Sequence, residues 1–206
     1  ASIIHLIEDL PKQGSLPINA LLAVGSVHQR LVKLGLRSDA NIIVTTSSAR
    51  DTHQIACLIG FGATAVYPTL AYQTILDLTD RNELKGDAHE NCSRYRKGIN
   101  KGLLKIISKM GISTISSYRG SQLFEIVGLD KDVVDLCFTN TESRIKGKKF
   151  KDLDLELRSL NEYARSNIAD MKVGGLLKYI HGGEYHTYNP EIVKKLQEAV
   201  NSGLNS

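Results

Sequence analysis

Two serines, a tyrosine and an arginine stand together in Ser116-Ser117-Tyr118-Arg119-Gly120. Hydroxyls beside a guanidinium can hold a phosphate or a carboxylate when a helix N-terminus adds its amide donors. Thr45 to Arg50 has the same make-up, hydroxyls and one arginine. In parallel α/β architectures ligands gather at the carboxyl ends of strands, so each loop is a candidate rim if a strand precedes it. The plainer reading of Ser116 to Gly120 is a helix cap made by Ser117 or Ser121, with Arg119 paired to a nearby acid. His53 and Cys57 lie four apart on one helix, and His181, Glu184 and His186 share a glycine-rich turn, but neither group has a third and fourth metal ligand at a usual spacing. Gly60-Phe61-Gly62-Ala63-Thr64-Ala65 matches G-x-G-x-x-A, yet it follows a helix and precedes a strand, the reverse of the dinucleotide-binding order, so it reads as a cap and turn. No nucleophile elbow, Walker loop or cysteine-histidine signature is present. By residue types alone there is no catalytic, cofactor-binding or metal set, and Ser116, Ser117, Tyr118, Arg119 and Gly120 remain as a candidate anion loop.

The elements that would position these residues follow from hydrophobic spacing. Asn19 caps a helix whose apolar residues run from Leu21 to Leu34 and which Gly35 closes. Ile42-Ile43-Val44 is a continuous apolar run of the kind found in a strand covered on both faces. A helix from Asp51 to Ile59, a strand at 65–67 ended by Pro68, and a helix from Leu70 to Leu78 come next, and Thr79 to Cys92 reads as an exposed connection. Ile99, Leu103, Ile106 and Met110 form the apolar face of a further helix, with Lys97, Lys101, Lys105 and Lys109 opposite as a solvated row. After Gly111 the spacing predicts a strand at 112–115, the polar loop, and a helix from Ser121 to Val127. Lys131 to Cys137 reads as a short helix and the basic stretch from Arg144 to Lys151 as a surface loop. Helices are expected from Phe150 to about Arg165 and, after Asn189-Pro190-Glu191, at the end of the chain. The expected fold is α/β, a mostly parallel sheet with flanking helices, open or partly barrel-like, with a helical C-terminal extension.

Composition sets outer bounds. The 206 residues are 42% hydrophobic and 23% charged with a formal charge of +4, which fits an ordinary globular protein and does not point to nucleic acid. Cys57, Cys92 and Cys137 are odd in number and widely spaced, as expected of thiols kept reduced in a cytoplasmic setting. The start, ASIIHLIEDLP, lacks the features of a signal peptide, and no apolar run approaches the ~20 residues of a membrane span.

ALLAVGSVHQRL, GLRSDANIIV, HQIACLIGFGATAVYPTLAY, KGINKGLLKIISKMGISTISSYRGSQLFEIVGL and GGLLKYIHGGEYHTYNPEIVKKLQEAV resemble, in that order, successive segments of the large subunit of glutamate synthase, in particular its bacterial NADPH-dependent type. The resemblance implies an enzyme that makes two glutamates from glutamine, 2-oxoglutarate and reductant. A glutaminase domain would release ammonia, a tunnel would carry it, and an FMN barrel would use it. It implies that residues 1–166 form the later part of the central, linking domain and that 167–206 form a linker and the start of the FMN region. Catalytic, FMN-binding and iron-sulfur residues would then lie outside this segment. Its partners would be the glutaminase and FMN domains of the same subunit and an NADPH-oxidising small subunit, with neither membrane nor nucleic acid involved. Ser116 to Gly120 would line the passage or bond a neighbouring domain. The alternative left open is a free-standing domain that binds an anion or a flavin phosphate.

Overall fold

The computed structural model describes residues 2–8, 16–166, 174–175 and 177–203. The chain divides into two compact units, Ala1–Ser159 and Leu160–Ser206. In the first, Ser2–Ile7 form β1, Ala20–Lys33 α1, Ala40–Thr46 β2, Thr52–Gly60 α2 and Ala65–Pro68 β3. The strands make a parallel sheet in the order β1-β2-β3. Strand β2 is rich in β-branched residues, and its alternate positions Ala40, Ile42, Val44 and Thr46 are buried. Each crossover adds the next strand on the same side, so two crossovers of one hand place α1 and α2 on one face. There Val24, Ile42, Val44, Ile55, Ala56 and Leu58 form the main core.

The other face of the sheet is largely exposed among the described residues, although Tyr72 of the following helix stacks on Tyr67 with ring centroids 5.5 Å apart. Ile7, Thr45 and Tyr67 lie side by side across it, and Ile3, Ile7 and Tyr67 are 66%, 59% and 53% exposed. Helix α3, Thr69–Asp80, follows β3, and α4, Ala88–Lys109, sets Ile99, Leu103 and Ile106 against the main core. Lys97, Lys101, Lys105 and Lys109 are exposed, as their spacing suggests, but so is Met110.

A second, smaller core lies on the far side of α1. After the single turn α5, Ile115–Tyr118, come β4, Glu125–Leu129, α6, Lys131–Cys137, β5, Glu142–Lys148, and α7, Phe150–Arg165. Strands β4 and β5 pair in parallel, and Leu22, Ile126, Val133, Val134, Cys137 and Phe138 pack together. Gly25 allows α1 and α6 to touch, since a Cβ there would stand 2.2 Å from the Cys137 carbonyl oxygen.

Several sequence expectations change here. Ser2–Ile7, given no element by sequence, is a strand, because β2 supplies hydrogen bonds along its whole length. Residues 112–115 are not a strand. The Ile112 N–H closes α4 on the Ile107 carbonyl at 2.9 Å, Thr114 stands at the N-cap of α5, and Ile112 and Ile115 pack singly against the main core. The segment expected as a helix from Ser121 to Val127 is a coil leading into β4, and the basic loop after Glu142 is largely β5. In both places pairing between distant segments overrides local preference. The expected connection Thr79 to Cys92 is shorter, because Asp87 caps α4 by accepting the Glu90 N–H.

In the second unit, Glu184 N–H donates to the Gly174 carbonyl at 2.7 Å and His186 Nε2–H to that of Gly175 at 2.6 Å. Asn189 then caps α8, Pro190–Asn201, by accepting from the amides of Glu191 and Ile192. The expected architecture of parallel strands with flanking helices and a helical end is thus observed, as two separate open sheets and no closed barrel among the described residues.

Candidate functional site

Because β1, β2 and β3 are parallel, their carboxyl ends share one edge. Glu8 follows β1 there, and Ser47 and Ser48 follow β2. Glu8 Oε2 accepts from Thr46 Oγ1 at 2.5 Å and from the Ser47 amide at 2.9 Å, while Oε1 accepts from Ser47 Oγ at 2.5 Å. Thr46 Oγ1 also accepts the Ser48 amide at 3.1 Å, and Thr69 Oγ1 donates to the Thr46 carbonyl at 3.1 Å. Partial burial alone would raise the Glu8 pKa, but the Ser47 and Thr46 hydroxyls and the Ser47 and Ser48 amides outweigh it and hold the carboxyl below its ordinary range. The polar groups of this rim therefore satisfy one another, and Tyr95 Oη fixes the end of the loop by donating to the Arg50 carbonyl at 2.9 Å.

The amino edge of the same sheet is built from different chemistry. Arg37 opens the 3-10 turn Arg37–Asp39 that leads into β2. Its Nε donates to His28 Nδ1 at 2.9 Å, Nη1 to the Ala40 carbonyl at 2.5 Å and Nη2 to the Gly62 carbonyl at 2.9 Å. A His28 Nδ1 that accepts leaves the ring proton on Nε2 in the neutral imidazole. Gly62 is required beside it, since its φ is +132° and a Cβ would stand 2.6 Å from His28 Cβ.

Arg119 joins this group from the turn after α5. The Gly120 amide donates to the Gly60 carbonyl at 2.8 Å, and a Cβ on Gly120 would lie 3.9 Å from His28 Nε2. Arg119 Nε is buried without a hydrogen-bond partner. Burial, then the charges of Arg37 and Arg119, push the His28 pKa down, and burial with the Arg119 charge lowers that of Arg37.

The five residues singled out by sequence separate in the fold. Ser116 and Ser117 are exposed, with their hydroxyls 3.2 and 2.9 Å from Thr114 Oγ1. Tyr118 is buried in the main core, and burial raises its pKa. Arg119 and Gly120 face the His28 and Arg37 group. Ser116, Ser117 and Tyr118 themselves form the helical turn α5, so the stretch is not the rim of a strand, whereas Thr45 to Arg50 does begin within β2 at a carboxyl edge. Cys57 Sγ lies 3.7 Å from His53 Nε2, but burial and then Asp51 raise its pKa and keep it a thiol. No group of three or more His, Cys, Asp or Glu side chains could hold a metal among the described residues.

Sequence reasoning found neither Glu8 nor the meeting of Arg37 with His28. A signal for Glu8 was present in Ile3-Ile4-His5-Leu6-Ile7-Glu8, an apolar run ending in an acid where a strand's carboxyl end would lie. Arg37, in the turn before the clear strand at Ile42, gave only its position as a hint.

The family model for the glutamate synthase central domain matches residues 1–130. The chain is 43% identical over 195 residues to the ferredoxin-dependent glutamate synthase of Pyropia yezoensis, covering 89% of this chain and 13% of that protein. It is 42% identical over 202 residues to ferredoxin-dependent glutamate synthase 1, chloroplastic/mitochondrial, of Arabidopsis thaliana, covering 92% and 12%. It is 40% identical over 185 residues to the glutamate synthase [NADPH] large chain of Bacillus subtilis (strain 168), covering 89% and 12%. The chain thus spans only 12–13% of the length of these relatives, and its similarity is alike for ferredoxin- and NADPH-dependent forms.

Proposed function

The chain belongs to the glutamate synthase central-domain family, and from that premise we propose that it is a connecting element of a glutamate synthase large subunit. In this reading residues 1–166 are the later part of the central domain, and 167–206 are a linker and the start of the FMN region. The parent converts glutamine, 2-oxoglutarate and reductant into two glutamates, and this segment holds its glutaminase and FMN sites in register and helps to enclose the ammonia path. Ammonia kept from bulk water is neither diluted nor protonated before use. Ser116 and Ser117 bond a neighbouring domain or line that path. In this reading FMN and the iron-sulfur centre belong to other segments of the parent.

The observation that carries this reading is the largely exposed face of the β1-β2-β3 sheet. Parallel sheets are ordinarily covered on both faces, yet Ile3, Ile7 and Tyr67 present apolar surface here. A neighbouring part of the same long polypeptide is the proposed cover, and relatives of which this chain spans only 12–13% contain ample material for it. The test is Ile7→Glu in the full-length large subunit with its electron donor. Glutamine hydrolysis should continue while 2-oxoglutarate consumed per glutamine falls. Unchanged coupling, or turnover of either substrate by the 206-residue chain alone, would count against the proposal.

A further inference from the structure

Arg81, Arg94, Arg144 and Arg158 each meet a carboxylate at 2.6 to 3.3 Å, and all four are well exposed. Arg37 and Arg119 are more deeply set, and no described residue places a carboxylate on either. The usual order is thereby inverted, because solvated cations need a counter-ion least and enclosed ones most. Among the described residues Arg37 is held by neutral acceptors, the imidazole of His28 and the carbonyls of Ala40 and Gly62. Arg119 is fixed by a backbone tie, Gly120 N–H to the Gly60 carbonyl, yet its buried Nε–H has no acceptor. A buried donor without a partner costs free energy, so an arrangement that retains one beside a second guanidinium calls for a missing acceptor.

We propose that Arg37, Arg119 and His28 form a receptor for one oxyanion, a carboxylate or phosphate group, at the amino edge of the sheet. The Arg119 guanidinium is its principal donor, the remaining Arg37 protons and His28 Nε2–H complete the set, and two guanidiniums supply the charge and paired donors that an oxyanion matches. The group arrives either as a free anion or as an Asp or Glu side chain of a longer polypeptide packed on this edge. This assignment stands on the geometry of the chain itself and holds whether or not the connecting role is correct.

The probe is inorganic phosphate, titrated into the 206-residue chain and its Arg119→Gln and Arg119→Lys variants while NMR follows the Arg119 Nε–H and His28 ring resonances. A saturable shift is expected at both in the wild type; read at the His28 ring, which every variant retains, binding is about tenfold weaker in Arg119→Gln and partly restored in Arg119→Lys. His53 and His89 should not move. Melting temperatures of the full-length large subunit identify the source. For a free anion, phosphate stabilises the wild type and not Arg119→Gln. For an internal carboxylate, Arg119→Gln lowers the melting temperature and phosphate leaves the wild type unchanged. No phosphate response at Arg119 Nε–H in the chain, or an Arg119→Gln variant indistinguishable from wild type in both proteins, overturns the assignment.

Discussion

The two edges of one small parallel sheet treat charge in opposite ways. At the carboxyl edge Glu8 is surrounded by the hydroxyls of Thr46 and Ser47 and by the Ser47 amide, so its negative charge is met within the fold. At the amino edge Arg37 and Arg119 stand together near His28, and no acid answers them among the described residues. A charge whose neighbours satisfy it is structural, since it joins two strand ends and needs nothing more. Charges brought together and left unanswered lower stability on their own, and their retention points outward, to something the edge receives. The carboxyl edge, where ligands of α/β proteins usually gather, is therefore the closed side of this sheet.

That contrast can be broken most forcefully at Gly62. Gly62→Ala brings a Cβ to 2.6 Å from His28 Cβ at a φ of +132°, and a cost of about 3 kcal/mol is expected, seen as a lower urea midpoint with unchanged slope. A neutral result would show that the amino edge yields and does not hold its cations in place. Glu8→Ala should cost about 1 to 2 kcal/mol in the same assay, because hydroxyl and amide donors lose a charged acceptor that is partly solvated. No loss there would mean that water replaces the carboxylate freely and that the edge is not closed.

The smallest effect is on pH dependence. His28 is depressed in the folded state, so its contribution is intact above its ordinary 6.5 and falls away as pH drops below that value. Glu8 is also depressed, so its contribution is intact above 4.5 and is lost on further acidification. Denaturation midpoints measured from pH 7 to 3 should show two windows. His28→Gln should flatten the upper one and Glu8→Gln the lower. If Glu8→Gln flattened the upper window instead, the two edges would have been assigned the wrong roles.

Much of the first core could be read from sequence, and the reasons are local. Asn19, Asp51 and Asn189 cap helices with their own side chains, and Asp51 forms a full capping box with Gln54. The turn at Gly60 to Gly62 closes α2 where the inverted G-x-G-x-x-A order indicated, with the Ala63 amide on the Leu58 carbonyl. The second core was misread for an equally physical reason. Ile126 and Val127 have the same residue types whether in a helix or a strand, and only pairing with Ile145 on β5 decides between them. Within the candidate anion loop the hydroxyls of Ser116 and Ser117 lie against Thr114, whereas the charged groups near Arg119 come from α1 and from the turn before β2.

What the sequence determined by itself was the family, through long ordered resemblance, and those elements whose periodicity and caps lie within a few residues of one another. Tertiary structure alone decided that Ser2–Ile7 is a strand, that 112–115 is not, and that one edge of the sheet is closed while the other is open. Such outcomes depend on hydrogen bonds and charges contributed by segments tens of residues apart. Glu8 meets Ser47, and His28 and Arg37 meet the turn at Arg119. Local spacing carries no record of those meetings, because they exist only once the strands have paired.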